Sequence, residues 1–107
     1  MLNPIPNNQF SEVSPVVSLV IPVYNEIAVL PLLFARLRSV MDGLALAYEI
    51  VLVDDGSKDA SAAYLVEQAQ ADHCVKAIIL SRNFGKEAAL SAGLQHTSGE
   101  AIVVLDA

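Results

Sequence analysis

The stretch Tyr48-Glu49-Ile50-Val51-Leu52-Val53-Asp54-Asp55-Gly56-Ser57 decides the fold. Its first part is aliphatic and rich in β-branched residues almost without interruption, the pattern of a strand buried on both faces of a parallel sheet. The run stops at two aspartates, a glycine and a serine, which favour a turn and the entry to a helix. A strand closed in this way calls for a crossover helix and another parallel strand, so the same unit should recur on either side.

It does. Upstream, Val16 to Val23 (VVSLVIPV) reads as a first strand whose end is placed by Pro22. The apolar set Val29, Leu30, Leu33, Leu37, Val40, Met41 and Leu44 then recurs at three- and four-residue steps, an amphipathic helix in which Pro31 fits only the first turn. Downstream, a helix is expected from about Ser61 to Ala71, with Ser57 or Asp59 available as N-cap. Val75 to Leu80 is the third strand, Ser81 to Gly85 a polar loop and Lys86 to Gln95 a short Ala-rich helix. A Ser98-Gly99 turn leads to the fourth strand, Ala101 to Leu105. The order βαβαβαβ with right-handed crossovers predicts an α/β fold, a mostly parallel sheet with helices on both faces.

The chain of 107 residues builds one core, and 54% apolar against 17% charged residues excludes intrinsic disorder and coiled coil. A net charge of −6 argues against a nucleic-acid partner. Acidic proteins still bind anionic phosphates where their carboxylates gather around a divalent cation. Cys74 is the only cysteine, so no internal disulfide or multi-cysteine zinc site can form, and a reducing, cytoplasmic compartment is the default. Met1 to Pro15 reads as a flexible tail without the features of a secretory signal, leaving 16–107 as the folded part. Apolar runs of about eight residues fall well short of the roughly 20 that span a membrane.

In open parallel sheets ligands bind beyond the carboxyl ends of the strands. Every strand here ends in polar residues: Tyr24-Asn25-Glu26, Asp54-Asp55, Ser81-Arg82-Asn83 and Asp106. The first loop lacks glycine and GxxxxGK[ST] is absent, which disfavours nicotinamide and P-loop sites. What remains is a convergence of carboxylates at Glu26, Asp54/Asp55 and Asp106, which calls for a cation or a donor-rich ligand among them. Strand alternation puts Val53 and Asp55 on one side and Asp54 on the other, so one aspartate can face a ligand while its neighbour caps backbone amides. Tyr24 is placed to stack on a base, and Arg82 and Lys86 to meet a phosphate. His73 and His96 read as solvated, and Cys74 as a small apolar residue.

The ordered phrases VSLVIPVYNE, EIVLVDDGSKD, LSRNFGKEAALSAGL and GEAIVVLDA resemble the start of a family 2 glycosyltransferase of GT-A fold. Within that family the chain most resembles polyprenyl-phosphate hexosyltransferases, relatives of dolichyl-phosphate mannose synthase and bactoprenol glucosyltransferase. The resemblance covers Val17 to Ala107. It implies transfer of a hexose, with inversion, from a UDP- or GDP-sugar to a polyprenyl phosphate in cell-envelope chemistry, with Mg²⁺ or Mn²⁺. Pro22, Tyr24 and Glu26 would line the nucleotide pocket, with Val53 and Asp55 at the base or ribose. Asp106 would be the first aspartate of a DxD-type motif and a metal ligand, with Ala107 its middle residue. Asp54, Arg82 and Lys86 would lie near the donor. The remaining metal ligand, the catalytic residues and any membrane anchor are expected after Ala107. On that reading the chain is the nucleotide-sugar-binding part, inactive alone, of an enzyme at the cytoplasmic face of the membrane. An uncovered fourth strand would favour self-association or a partly molten state.

Two other folds share parts of this pattern. From Glu49 onward the chain also reads as a response-regulator receiver phosphorylated at Asp106, against which stand the additional βα unit of Val16 to Leu44 and the Tyr24-Asn25-Glu26 rim. A nucleotidyltransferase for sugar phosphates would carry a glycine-rich basic loop after the first strand, and Tyr24 to Leu30 is not one.

Overall fold

The structure, a computed structural model, describes residues 15–106. The elements are β1 (Val17–Val23), α1 (Leu30–Leu44), β2 (Tyr48–Asp54), α2 (Ser61–Ala71), β3 (Val75–Ile79), α3 (Lys86–Leu94) and β4 (Ala101–Val104). All strand pairs are parallel and the sheet order is β3-β2-β1-β4. The expected Met1 to Pro15 tail lies almost wholly outside the described residues, as does Ala107.

Pleat alternation divides β1 and β2 between two helical layers. Leu19, Ile21 and Val23 of β1 and Ile50 and Leu52 of β2 share one core with Leu30, Phe34 and Met41 of α1 and Leu65 of α2. Phe34 meets Tyr64 edge to face, with ring centroids 5.7 Å apart. Arg38 stands over the Phe34 ring and pairs with Asp72, closing α1 onto the end of α2. The opposite face is covered by α3, whose Gly93 lets the helix settle on Val20 and Val53: a Cβ there would lie 2.7 Å from Val20 Cγ1. Each fully buried leucine, isoleucine or phenylalanine contributes about 1.5–3 kcal/mol, so helices are required on both faces.

The helix boundaries follow local chemistry. Pro31 sits in the first turn of α1, as expected, and Ala45 closes that helix in the left-handed region, φ 56°, its N–H donating to the Asp42 carbonyl. Only glycine takes that conformation without penalty. Ala45→Gly is therefore expected to raise stability by about 0.5–1 kcal/mol, less strain but more unfolded-chain freedom; an unchanged or lower urea midpoint would contradict it. The expected side-chain cap of α2 takes a different form, because the N-cap position is Ala60. Asp59, one residue earlier, still accepts the Ser61 N–H through Oδ1 at 2.8 Å.

At the amino-terminal end of the sheet, beneath α3, a buried polar centre holds β1, β2 and β3 to the α3–β4 turn. Ser18 lies opposite Glu49 in the parallel register and its hydroxyl donates to Glu49 Oε2 at 2.6 Å. Ser98 N donates to the same oxygen, Lys76 Nζ stands 2.9 Å from Oε1, and Gly99 N donates to Ser18 Oγ. Burial alone would raise the Glu49 carboxyl, but the hydrogen bonds from Ser18, Lys76 and Ser98 and the Lys76 charge hold it below its ordinary value. At the other edge β4 is exposed along its length and, among the described residues, pairs only with β1. The fourth strand is one residue shorter than expected, although Leu105 N still donates to the Val20 carbonyl.

Candidate functional site

The chain leaves β1 toward β2 on one side and returns as β4 on the other, so the direction of winding reverses at β1. A crevice beyond the carboxyl ends of the strands is expected at such a switch point. A cleft of about 380 Å³ lies there, lined by Pro22, Val23, Tyr24, Glu26, Asp55, Lys86 and Asp106. Six of these seven are residues that the sequence singles out. Val53, Asp54 and Arg82 do not line it. Val53 is fully buried under α3 near Gly93, Asp54 faces the other layer, and Arg82 lies over the Phe84 ring at 4.1 Å.

The rim is built by reciprocal bonds between two loops that are distant in sequence. Asn25 N donates to Ser57 Oγ at 2.8 Å, and Lys58 N returns a bond to Asn25 Oδ1 at 2.8 Å. Glu26 N donates to Ser61 Oγ at 2.9 Å and Ile27 N to Asp59 Oδ2 at 3.2 Å. Asn25 itself is left-handed at φ 54°, a conformation that asparagine tolerates better than most residues. The loop after β1 thus has its amides satisfied by the Ser57, Asp59 and Ser61 side chains, and Tyr24 and Glu26 are held where the cleft needs them. Sequence reading gave these polar residues only local turn and cap roles; nothing in their spacing announces the cross-loop partners.

Asp54 and Asp55 divide their tasks across the strand, as alternation predicts. Asp54 Oδ2 accepts the Ser57 N–H at 2.9 Å and fixes the turn, while Oδ1 is buried without a partner among the described residues. Asp55 accepts the Phe84 N–H through Oδ1 at 2.8 Å and the Gly85 N–H through Oδ2 at 3.1 Å. It therefore ties the 82–85 loop and the start of α3 to the end of β2, and it also lines the cleft. Gly56, at φ 73°, makes this close approach of loops possible, since a Cβ there would meet the Arg82 and Asn83 backbone, while Gly85 supplies the φ of 102° from which α3 starts.

The charges of the cleft are spread rather than clustered. Glu26, Asp55 and Asp106 share one cleft, as expected, without forming a set of three whose oxygens all lie within 4.8 Å of one another; among the described residues only Asp72, His73 and Cys74 form such a set of ligand atoms. Lys86, at the start of α3, reaches across to Asp106 with Nζ 2.5 Å from Oδ1. Oxygen-only donors of this kind suit hard cations such as Mg²⁺ or Mn²⁺, and the ammonium group already sits where positive charge is favoured. The Asp72 group is a poor match for a cation, because its carboxylate is engaged by Arg38 and by the Cys74 amide. Burial, then the Asp72 charge, pushes the Cys74 thiol up, keeping it protonated.

Comparison with known proteins bears on this geometry. The model of the family described as Glycosyl transferase family 2 matches residues 18–107. An undecaprenyl-phosphate 4-deoxy-4-formamido-L-arabinose transferase of Pseudomonas paraeruginosa is 51% identical over 92 residues, covering 85% of this chain and 27% of that protein. An uncharacterized glycosyltransferase of Synechocystis is 49% identical over 90 residues, covering 84% of this chain and 28% of that protein. The chain thus spans just over a quarter of the length of the curated relatives it matches. Among solved structures, the mannosyltransferase PcManGT of Pyrobaculum calidifontis, in complex with GDP-Man and Mn²⁺, aligns with a TM-score of 0.65 at 26% identity, covering 88% of this chain and 28% of that one. S. aureus TarS in complex with UDP-GlcNAc aligns with a TM-score of 0.69 at 24% identity, covering 84% of this chain and 26% of that one, a likeness of fold. The receiver-domain alternative finds no support in these matches. No described helix is long and apolar enough to cross a membrane.

Proposed function

The chain belongs to glycosyl transferase family 2, and from that premise we propose that residues 16–107 form the donor-nucleotide-binding part of a transferase that moves a hexose from a UDP- or GDP-sugar to a polyprenyl phosphate. The cleft at the β1/β4 switch point carries this reading, because it combines an accessible ring, carboxylates and one ammonium group around a space of about 380 Å³. The acceptor class is supported by relatives named as undecaprenyl-phosphate transferases. The same acceptor would set the full-length enzyme at the cytoplasmic face of a membrane.

The residues divide the work by chemistry. Tyr24 offers an exposed ring face for the base. Pro22 closes the wall beneath it, and Glu26 and the free lone pairs of Asp55 accept hydrogen bonds from ribose or base donors. Asp106 is the oxygen ligand for Mg²⁺ or Mn²⁺, and Ala107, next in the chain, lies outside the described residues. When bound, the cation neutralises the charge that develops on the departing nucleoside diphosphate. Lys86 brings a second positive charge to the same end of the cleft.

Calorimetry with UDP and GDP in the presence of Mn²⁺ tests this. Tyr24→Ala should weaken binding about tenfold, the scale of one lost base–aromatic stack. Unchanged affinity would remove Tyr24 from the site, and the absence of any nucleotide binding would defeat the reading. Asp55→Ala is the less clean probe, since it also releases the Phe84 and Gly85 amides.

A further inference from the structure

We propose that Lys86 is a place-holder for the cation: its ammonium neutralises Asp106 until a divalent ion and a nucleoside diphosphate arrive together, and it then transfers its charge from the aspartate to the phosphates. The proposal rests on the donor-site reading above and assigns to that site a coupling between its two ligands.

The ion pair bridges elements whose backbones are fixed. Lys86 opens α3, which is seated on the sheet through Ala89 and Gly93 and whose preceding Gly85 amide is held by Asp55. Asp106 follows Leu105, which bonds to the Val20 carbonyl at 3.0 Å. Both side chains are largely exposed, 60% for Lys86 and 69% for Asp106, so neither is held by packing. Among the described residues Lys86 is also the one cationic side chain lining a cleft that holds the carboxylates of Glu26, Asp55 and Asp106. With Nζ at 2.5 Å from Oδ1, the ammonium occupies a position that a cation bound by that oxygen would take. A divalent ion that takes Oδ1 must displace it, because two cations at one carboxylate oxygen repel strongly.

The flexible stem of lysine lets the displaced ammonium swing without leaving the cleft. Glu26 and Asp55 are the other carboxylates lining the cleft among the described residues, and Asp55 already receives two amide bonds. A diphosphate brings the missing negative charge. Metal alone thus meets a competitor, nucleotide alone leaves the pair intact, and the two together exchange it. The coupling is reciprocal: each ligand must tighten the other by the same factor.

The test uses the 107-residue chain and Lys86→Gln, with Mn²⁺ binding followed by its electron paramagnetic resonance signal and UDP and GDP binding by calorimetry. Lys86→Gln should bind Mn²⁺ alone about two- to fivefold more tightly, the range expected for freeing an exposed ion pair. The same variant should bind UDP or GDP more weakly in saturating Mn²⁺ and lose most of the mutual enhancement, while binding of the phosphate-free nucleosides stays unchanged. If nucleotide binding weakens but Mn²⁺ alone binds as in the parent chain, Lys86 is a plain phosphate contact and the exchange is refuted. If neither changes, the ion pair is a surface contact and the proposal fails while the donor site stands. If the parent chain binds neither UDP nor GDP, the functional reading fails and takes this proposal with it.

Discussion

Replacing Gly56 by alanine is expected to lower the stability of the chain by about 2–4 kcal/mol, and to loosen the cleft together with the fold. At φ 73° the backbone of Gly56 occupies the left-handed region, where an L side chain costs about 1–2 kcal/mol. The larger effect is steric. A Cβ at this position would overlap the backbone of Arg82 and Asn83, lying 2.7 Å from Arg82 Cα. Backbone atoms cannot turn aside as a side chain does, so the 82–85 loop must move, and overpacking of this kind costs about 1–3 kcal/mol. A gain of about 0.4–1 kcal/mol from the stiffer unfolded chain offsets part of the loss. Displacing that loop also stretches the Asp55 bonds to Phe84 and Gly85. The urea midpoint of Gly56→Ala should therefore fall sharply, with nucleotide affinity falling beside it. Gly43→Ala in α1 is the matched control: nothing lies within 4 Å of its new Cβ, and alanine favours the helix, so its midpoint should hold or rise. Equal midpoints for the two variants would show that the loops do not touch at Gly56.

Glu49→Gln should cost about 1.5–3 kcal/mol near neutral pH, and its cost should shrink in acid. The substitution keeps the shape but removes the charge that Lys76 faces and leaves one acceptor oxygen for the Ser18 hydroxyl and the Ser98 amide. Breaking a fully buried pair costs more, but the Lys76 side chain is 43% exposed and water can take up its charge. The direction of the pH effect follows from proton linkage. The Glu49 carboxyl is held below its ordinary value of 4.5, so the unfolded state binds the proton more readily than the folded state. Its contribution is complete above the unfolded value and disappears as pH falls through the lower, folded value. Urea midpoints of the parent chain and Glu49→Gln measured from pH 7 to pH 3 should accordingly converge. A gap of constant size across that range would mean that the loss at neutral pH is steric, not ionic.

The element order, the parallel sheet and most of the cleft lining are legible in the sequence because they follow from periodicity and one topological rule. Alternation correctly separates Asp54 from Asp55, since a pleat has only two sides. It is blind to depth: Val53 lies on the side of Asp55 but under α3, fully buried. Long-range partners are less legible still. The amides of Asn25, Glu26 and Ile27 find side-chain oxygens 32 to 35 residues away, and each of those oxygens also has a credible local role. Ser18 and Glu49 did leave a trace, as polar residues at matching depths of two otherwise apolar strands, where a buried acid calls for donors. Lys76, Ser98 and the open turn at Gly99 supply or support them only once the sheet order is known.

That sheet order also sets the order of assembly. β1 is an inner strand whose neighbours enter the chain at very different times: Val17 pairs with Tyr48 on one side and with Ala101 on the other. The bond from Gly99 to Ser18 joins residues 81 apart. At about 5–20 residues per second of synthesis, the second edge of β1 waits roughly 4–16 s after the first residues of that strand are made. During this interval the β1–α1–β2 unit can form while one side of β1 still offers unpaired amides and carbonyls. Non-local pairing of this kind slows folding, and the Glu49 centre can close only when the α3–β4 turn arrives. The residues that complete the cleft therefore also end the period in which the nascent sheet is open to the wrong partner.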